Sequence, residues 1–223
     1  TPRSRQTALF SATIPPWVQK IKARHLTDPE VLMSEEGDGS DPDIEHVVME
    51  AYTEAKFKLL LGLLAEPVEG GTLVFGRTKR GVRNLGQRLQ NAGHQVAVLQ
   101  GNLDQNARDR AMEQFRSGRV PILVATNVAA RGLDILHIAR VINYELPETH
   151  ELFTHRVGRT GRMGRSGRAI TLVSATDLTK WQAIERGLER KLPRVSPNGS
   201  PIAPRPQAAA SRRASSSWGR RGW

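Results

Sequence analysis

The sequence predicts an α/β fold in which a mainly parallel sheet is flanked by helices. Short, continuously apolar runs recur between residues 44 and 192, and such runs are typical of parallel strands that are buried on both faces. Segments with helical periodicity separate the runs. Helices between parallel strands are the connections that βαβ units require, so the two observations together indicate one α/β domain.

The predicted elements alternate in a regular order along this domain. Strands are expected at 44–51, 72–75, 96–99, 121–125, 140–143 and 169–173. Helices are expected at 54–65, 79–91, 105–116, 148–157 and 176–192. The domain is therefore assigned to residues 44–192.

Residues 1–33 are predicted to be the end of a preceding domain. They contain one short apolar run, 6–10, interpreted as a strand, and one helical pattern, 14–26, which are too little to form a core. The acidic, glycine-rich stretch 34–43 is typical of a flexible linker. Because the sequence starts with Thr1 rather than methionine, we expect a piece of a longer chain.

Residues 193–223 are predicted to be a disordered basic tail. They hold five prolines, six arginines and no acidic residue, so they carry six of the eleven net positive charges. Their serine and alanine runs cannot bury enough apolar surface to fold. Trp218 and Trp223 lie among the arginines, a mixture that suits stacking on nucleic-acid bases. A solvated tail without a specific ligand explains the composition equally well.

The excess of basic residues favours a polyanionic partner. Lysine and arginine number 33 against 22 aspartates and glutamates, a net charge of +11, and nucleic acid is the leading partner class for such a balance. The absence of cysteine excludes a disulfide framework, a thiolate metal site and a cysteine nucleophile. The longest apolar run, 59–65, is far shorter than a membrane span. We expect a soluble, cytoplasmic protein without a membrane partner.

The most informative segment is an arginine–glycine repeat at 155–168. Arginine recurs at every third position from Arg156 and glycine at every third position from Gly158. A collagen-like repeat is rejected because the period stops after four glycines and proline is absent. A solvated run of charge stays open beside a phosphate site, in which glycines allow close approach of the backbone and guanidinium groups donate to phosphate oxygens. An arginine-rich turn of this kind suits phosphoryl transfer.

Two other motifs of catalytic sites are rejected or absent. His150 and His155 would lie about 140° apart around a helix, so they cannot share a zinc ion from one face. No G-x-x-x-x-G-K-[ST] phosphate loop is present. Arginines without that loop imply a second half of the site, which supplies the lysine, the magnesium ligand and the carboxylate that positions water.

Five motifs, in order, resemble those of the C-terminal half of DEAD-box ATP-dependent RNA helicases, over about residues 5–192. They are SAT at 11–13 (motif III), VFGRT at 74–78 (motif IV), QG at 100–101 with QNAR at 105–108 (between IV and V), ATNVAARGLD at 125–134 (motif V) and HRVGRTGR at 155–162 (motif VI). The resemblance implies two RecA-like domains, with ATP bound at their interface and RNA across both. This chain would supply the second domain and the last strand and helix of the first.

The resemblance assigns residues to the ATP site. Arg159 and Arg162 would be the arginine fingers on the γ-phosphate, Asp134 would meet the ribose, and Gly132 would be a further nucleotide-binding residue. The magnesium ion that accompanies ATP would be held mainly by the first RecA-like domain. Without the phosphate loop and the Asp-Glu-Ala-Asp motif, this chain alone is not expected to hydrolyse ATP.

The resemblance also assigns coupling and RNA-binding residues. His155 and Arg156 would link the ATP site to the motifs of the other domain, and Ser11 and Thr13 would couple hydrolysis to strand separation. The expected contacts with single-stranded or short duplex RNA are Thr126, Gly101, Arg108, Arg77 and Thr78. Contacts to sugar and phosphate carry little sequence information, so unwinding is expected to be independent of sequence. Family analogy favours a monomer.

Four positions depart from the family's common pattern. Gln100 replaces a usual histidine, Asn127 a usual aspartate, Leu136 a usual proline, and Phe153-Thr154 the usual Tyr-Val pair. None of these changes removes a group that contacts phosphate. We therefore expect them to affect only local packing and details of RNA binding.

The sequence thus predicts the C-terminal domain of a DEAD-box RNA helicase, and two alternatives stay open. One is a DNA helicase of the same superfamily, which shares the fold and the arginine fingers; the His-Arg pair that opens motif VI argues against it. The other is a non-catalytic RNA-binding module. The strand and helix predicted at 6–26 and the non-methionine start argue against the module.

Overall fold

The computed structural model describes residues 2, 5–11, 16–32, 43–130, 135, 137–197 and 200. The chain divides into two compact units, residues 1–40 and residues 41–223. Most of the predicted linker, and the predicted tail from residue 201, lie outside the described residues. The predictions of a flexible linker and of a disordered tail from residue 201 onwards therefore stay predictions.

The described part of the first unit contains one helix, α1 (Pro16–His25), in the place where the sequence predicts one. The strand predicted at 6–10 is wrong, because residues 5–11 have no regular secondary structure. A short apolar run becomes a strand only where neighbouring strands pair with it. The described residues of this unit supply no such partner.

The second unit is built on a seven-stranded sheet in which every described pairing is parallel. The strands are β1 (Ile44–Glu50), β2 (Gly71–Gly76), β3 (Val96–Leu99), β4 (Ile122–Thr126), β5 (Ile138–Asn143), β6 (Gly167–Val173) and β7 (Arg194–Val195). Their spatial order is β3-β4-β2-β5-β6-β1-β7. The parallel sheet confirms the predicted fold class, and β1 to β6 lie where the sequence predicts strands.

Five helices of the second unit flank this sheet. They are α2 (Lys56–Ala65), α3 (Lys79–Asn91), α4 (Gln105–Arg116), α5 (His150–Val157) and α6 (Leu178–Gly187), and single 3₁₀ turns at Thr53–Ala55 and Ala175–Asp177 precede α2 and α6. The helices predicted at 79–91 and 105–116 are confirmed with the same bounds. No helix in the described part of the chain is long and apolar enough to cross a membrane.

Consecutive strand residues pack against helices on opposite faces of the sheet. Val74 and Ile170 belong to the core that α2 and α3 cover. Phe75, next to Val74, packs in the core that contains α4 residues, and Ala169, next to Ile170, packs with residues of α5 and α6. Both faces of the sheet are therefore buried, which explains why its strands are continuously apolar.

Three helices that start at the carboxyl edge of the sheet begin with a side-chain cap. Thr78 Oγ1 accepts a hydrogen bond from Gly81 N at 2.9 Å, and Asp104 Oδ1 accepts one from Ala107 N at 2.7 Å. Thr149 Oγ1 accepts from Leu152 N at 3.3 Å and caps α5. Each cap satisfies an amide that has no partner inside its helix, so the start of the helix is set by the sequence.

The C-terminal boundary differs from the sequence prediction. Helix α6 ends at Gly187 rather than at residue 192, and β7 lies inside the stretch that the sequence assigns to the disordered tail. The cause is the buried carboxylate of Glu185, which accepts from Leu192 N at 3.2 Å and from Arg194 Nη2 at 2.7 Å. Arg194 also bonds Glu50 at the end of β1. These contacts hold the chain against β1 and continue the sheet.

A buried ion pair joins the start of α2 to the start of α6. Lys56 is 8% exposed at its side chain, and its Nζ lies 2.8 Å from Asp177 Oδ2. Asp177 also accepts hydrogen bonds from the backbone amide and the hydroxyl of Ser174. Desolvation raises the pKa of Asp177, but these hydrogen bonds and the Lys56 charge outweigh it, so the net pKa is lowered.

We expect Asp177→Asn to lower the free energy of unfolding at pH 7 by about 1–3 kcal/mol, because it removes the charged partner of a buried lysine. A carboxyl whose pKa is depressed in the folded state stabilises the fold above its unfolded pKa of about 3.9 and loses that effect as the pH falls through the folded pKa. As the pH falls below about 5, the free energy of unfolding, measured by urea unfolding, should therefore decrease less in Asp177→Asn than in the unmodified chain. Glu113→Gln, at an exposed carboxyl on α4, is the matched control; equal pH profiles for Asp177→Asn and the unmodified chain would contradict this account.

Candidate functional site

Several of the predicted RNA-contacting residues gather at the carboxyl edge of the sheet. Thr126 is the last residue of β4, Gly101 follows β3, and Arg77 and Thr78 follow β2. The strands β3, β4 and β2 are neighbours in the sheet, so these residues form one edge. Ligands of open α/β sheets bind at this end of the strands.

The segment after β2 is held to the end of β5. The backbone amide of Arg77 donates to Glu145 Oε2 at 2.7 Å, while the Arg77 side chain is exposed. The Thr78 hydroxyl caps α3 through its oxygen, so its proton is still available to donate to a ligand. Arg77 and Thr78 therefore present one guanidinium group and one hydroxyl at a position that Glu145 sets.

The side chain of Lys79 lies across Gly101, a contact that sequence reasoning missed. Lys79 Nζ donates to Asn102 Oδ1 at 2.6 Å, and a Cβ atom added to Gly101 would lie 3.2 Å from Lys79 Cε. Glycine at this position leaves the lysine stem room to pass over the backbone. Lys79 thus adds a cation to the edge, and its only sequence signal is its position directly after Thr78.

Arg108 has a positioning role in this structure. Its Nη2 donates to the carbonyl of Ala129 at 2.9 Å, which ties α4 to the turn after β4. The same turn is closed by a hydrogen bond from Ala130 N to the carbonyl of Thr126 at 3.0 Å. Arg108 therefore supports the turn that follows Thr126, in addition to the charge that it brings to the edge.

Arg156 is buried and joins three segments. Its Nε donates to Asn127 Oδ1 at 2.5 Å, and its Nη1 donates to Asn143 Oδ1 at 3.1 Å and to the carbonyl of Glu145 at 2.6 Å. The guanidinium carbon lies 4.9 Å from the ring centroid of Phe75. These bonds link α5 to the turn after β4 and to the end of β5. Asn127, Asn143 and Glu145 are functional partners that the sequence did not single out for this role.

The environment of Arg156 is unusual for a buried cation. Burial lowers the pKa of Arg156 to about 10, and the nearby charges of Glu145 and Glu148 counteract this only in part. The residue is 2% exposed, and its Nη2 has no hydrogen-bond partner among the residues described. Asn127 accepts a hydrogen bond from Arg156 Nε, but its amide is neutral and does not compensate the positive charge of Arg156. At pH 7 Arg156 is nonetheless a cation, because a pKa near 10 is well above neutrality.

The two predicted arginine fingers follow Arg156 on the same turn. Arg159 Nε donates to the carbonyl of His155 at 3.3 Å, and Arg162 Nε donates to the carbonyl of Gly158 at 2.7 Å. Burial lowers the pKa of Arg159, and the nearby positive charge of Arg162 lowers it further. In both residues the Nε atom is therefore held by the backbone carbonyl four residues earlier, and this bond fixes the direction of the guanidinium group.

The backbone of this turn is constrained at several points. The buried hydroxyl of Thr160 donates to the carbonyl of Ile138 at 2.6 Å and anchors the turn on β5. A Cβ atom on Gly167 would lie 2.4 Å from Thr160 Oγ1 and 2.5 Å from Gly161 N, so only glycine fits. Gly164 has φ +73°, and Met163 adopts φ +55° although it has a side chain. The glycines of the repeat thus serve close packing and turn geometry.

Two clefts meet at Arg159. A small cleft near the carboxyl edge is lined by Phe75, Asn127, Ala130, Leu152, His155, Arg156 and Arg159. A larger, open cavity of about 860 Å³ is lined by Arg159 and Arg162 and extends to residues at the amino ends of β5 and β6. Its lining also includes Gly161 and Gly164, the basic side chains of Arg165 and Arg168 and the acidic side chains of Asp43, Glu45 and Glu69. The small cleft therefore brings together described residues of the predicted motif V, Asn127 and Ala130, and of the predicted motif VI, His155, Arg156 and Arg159.

Not every predicted site residue can be placed. Thr13, Gly132 and Asp134 lie outside the described residues, so their roles stay predictions. Ser11 belongs to the first unit and is exposed. His155 is exposed on α5 and lines the small cleft. Among the described residues, no group of three or more His, Asp or Glu side chains is placed to hold a metal ion.

Comparison with known sequences places these features in a family. Residues 55–164 match the helicase conserved C-terminal domain. The chain is 38% identical over 196 residues to the DEAD-box ATP-dependent RNA helicase CshA of Geobacillus kaustophilus, covering 88% of this chain and 42% of that protein. It is 39% identical over 193 residues to the RNA helicase CrhR of Synechocystis, covering 86% of this chain and 39% of that protein. The chain thus spans less than half the length of the curated relatives it matches.

Solved structures show the same relationship. The chain superposes on the E. coli DEAD-box protein SrmB, solved bound to regulator of ribonuclease activity A, with a TM-score of 0.67 and 36% identity, covering 74% of this chain and 98% of that chain. S. cerevisiae Dbp5 bound to RNA and ADP BeF3 gives a TM-score of 0.77 and 32% identity, covering 88% of this chain and 53% of that chain. The chain belongs to the DEAD-box family of ATP-dependent RNA helicases and contains the RecA-like C-terminal domain of that family.

We expect Arg156→Met to lower the free energy of unfolding by about 2–4 kcal/mol, because it leaves the buried acceptor of Asn143 and the partly buried acceptors of Asn127 and Glu145 without this donor. Arg159→Met, three residues further along the same repeat, removes a guanidinium group that is only partly buried and should cost less than about 1 kcal/mol. Denaturant unfolding of both variants measures the difference. Equal losses in the two variants would show that Arg156 does not hold the site together.

Proposed function

We propose that this chain is the second RecA-like half of an RNA-dependent ATPase that separates RNA strands locally, and that it completes the ATP site with Arg159 and Arg162. One observation carries the proposal: both guanidinium groups lie on a turn that is anchored by buried Thr160 and Arg156, and both line the same open cavity. Preorganised cations of this kind stabilise the charge that develops on a transferred phosphoryl group.

The arginines in the lining of the larger cavity suit the triphosphate of ATP, whereas Asp43, Glu45 and Glu69 in the same lining would repel it. The cavity is within the range that small-molecule sites occupy, about 300–1,000 Å³, and it presents the side chains of Arg159, Arg162 and Arg165 together with glycine backbone. Bound ATP supplies the phosphoryl group that is transferred to water. Arg159 and Arg162 would donate hydrogen bonds to γ-phosphate oxygens, and Asp134 would hold the ribose. The magnesium ion would be held mainly by a first RecA-like domain.

The small cleft is the proposed contact between this site and the first domain. Its lining combines the apolar side chains of Phe75 and Leu152 with the donors of His155 and Arg156. Arg156 would act here through its hydrogen bonds to Asn127 and to the carbonyl of Glu145, which tie the cleft to the turn after β4 and to the end of β5. We propose that His155, one residue before Arg156, shares this coupling role, and that Ser11 and Thr13 couple hydrolysis to strand separation.

The carboxyl edge is the proposed RNA site of this half. The Thr126 and Thr78 hydroxyl groups, the Gly101 backbone and the Arg77 guanidinium group would contact sugar and phosphate. Arg108 would act mainly through the turn after β4 that it supports. Such contacts bind single-stranded or short duplex RNA without reading its sequence. Closure of two domains on ATP would bend the bound RNA, and hydrolysis would release it.

Exposed apolar side chains in the first unit support the presence of a larger first domain in the complete protein. Phe10 is 92% exposed, Leu32 84% and Trp17 62%. Large apolar side chains exposed together in a short segment are typical of a surface that another part of a protein covers. The relatives' greater length agrees with this reading.

We expect RNA-stimulated ATP hydrolysis in a polypeptide that carries a first RecA-like domain ahead of this chain, and none by this chain alone. In that polypeptide Arg162→Ala should lower the stimulated rate by about 10³-fold or more, because a finger that stabilises the transition state is removed. Steady-state hydrolysis with and without RNA measures the effect. Arg116→Ala, at an exposed position in the last turn of α4 that is not in the lining of either cleft, is the matched control and should change the rate far less.

The same assay separates the alternatives. Hydrolysis that DNA stimulates as well as RNA would indicate a DNA helicase of the same superfamily. An inactive polypeptide that still binds RNA, or an Arg162→Ala variant with an unchanged rate, would indicate a non-catalytic RNA-binding module and would contradict the proposed ATP site.

A further inference from the structure

Helix α3 presents a polar face that carries positive charge and no negative charge. The helix contains Lys79, Arg80, Arg83 and Arg88 and no aspartate or glutamate. Its buried residues Val82, Leu85, Gly86 and Leu89 face the sheet. At about 100° per residue, the exposed residues of the opposite side fall within an arc of about 100°. They are Arg80, Arg83, Asn84, Gln87 and Asn91, and we refer to them as the α3 stripe.

The α3 stripe is continuous with the carboxyl edge. The helix starts directly after Thr78, at the end of β2, and the chain re-enters the sheet at Val96, the first residue of β3. Because β2 and β3 both run towards the carboxyl edge, α3 runs in the opposite direction, away from it. From Arg80 to Asn91 the stripe covers about 16 Å along the flank of the domain.

No ion pair among the described residues explains the presence of Arg80 and Arg83. Both side chains are exposed, and among the described residues neither takes part in an ion pair. Arg88 differs, because its guanidinium carbon lies 3.7 Å from the centroid of the Phe57 ring and its charge lies close enough to Tyr144 to act on the pKa of that hydroxyl. Arg88 therefore packs α3 against α2 and β5 and is not counted as part of the stripe.

We propose that the α3 stripe is an accessory RNA-binding track, on which Arg80 and Arg83 hold the backbone of RNA that leaves the carboxyl edge. This inference rests on the proposed RNA site. An acid-free face suits a phosphate backbone, because every phosphate meets a donor and none meets a carboxylate. The amides of Asn84, Gln87 and Asn91 add neutral donors without sequence preference.

Continuity favours RNA over an acidic protein segment as the occupant. A nucleic-acid strand that crosses the edge at Thr78 and Gly101 must continue beyond it, and the stripe begins at Arg80, two residues after Thr78. An acidic protein segment could bind the α3 stripe without also crossing the carboxyl edge, so it would not require the two surfaces to be continuous. RNA long enough to reach the stripe should therefore bind more tightly than RNA that covers only the edge.

The test compares short and long RNA on this chain. Binding of oligouridylates of about 6 and about 20 nucleotides is measured by fluorescence anisotropy over a series of salt concentrations. For the double variant Arg80→Gln with Arg83→Gln, the salt slope of log K should become shallower by about 1.4 for the long RNA, at about 0.7 per lost phosphate contact. The slope for the short RNA should not change.

The matched control is Arg116→Gln with Arg186→Gln, which removes two exposed arginines from the last turns of α4 and α6. It has the same net charge as the stripe variant, so a general charge effect would appear in both. The control should keep the long-RNA slope of the unmodified chain. If control and stripe variants lose the same slope, the stripe is not a track.

The other outcomes overturn the inference in distinguishable ways. If the stripe variant changes the salt slope equally for the short and the long RNA, Arg80 and Arg83 belong to the edge site itself. An unchanged long-RNA slope, with weaker binding of polyglutamate by the stripe variant, would assign the surface to an acidic protein segment. If the unmodified chain binds neither RNA, the proposed RNA site fails along with the track; if it binds the short RNA and gains nothing from length, only the track fails.

Discussion

The buried guanidinium group of Arg156 is the interaction on which the rest of the site depends. It bonds the side chain of Asn127 after β4, the side chain of Asn143 in β5 and the backbone of Glu145. Asn143 is itself bonded to Thr171 of β6. The nearby carboxylates of Glu145 and Glu148 offset the burial of this cation only in part, and an incompletely compensated charge is costly to bury, so these acceptors must all be in place together. This requirement fixes α5, and α5 carries the turn with Arg159 and Arg162.

Equal spacing in the arginine repeat leads to unequal roles in three dimensions. Arg156 is buried, and Arg159 and Arg162 line an open cavity. Arg168, at the end of the repeat, forms ion pairs with Glu45 and Glu66. The repeat therefore combines residues that hold the turn with residues that can meet a phosphate, and the glycines between them let the backbone bend closely enough to separate these roles.

The two edges of the sheet offer different chemistry. The carboxyl edge presents hydroxyl groups, backbone and the cations of Arg77 and Lys79, while the larger cavity reaches the opposite edge with its arginines. Arg159 lines both clefts. Helix α5 and the turn that follows it border both the small cleft and the larger cavity. A shift of α5 would move Arg156 and Arg159 together, so binding in one cleft could change the geometry of the other. This is the physical basis on which the proposed coupling of RNA binding to ATP hydrolysis rests.

The sequence by itself determined the fold class, the positions of β1 to β6 and the types of residue at the site, since apolar runs, helical periods and the arginine repeat are local patterns. Only the tertiary structure decided what depends on contacts between distant residues. The strand β7 exists because Glu185 and Glu50 bond Arg194, and the run at 6–10 forms no strand because nothing described pairs with it. The partners of Arg156 were likewise invisible, because Asn127, Asn143 and Glu145 meet it only once the sheet has brought β4, β5 and α5 together.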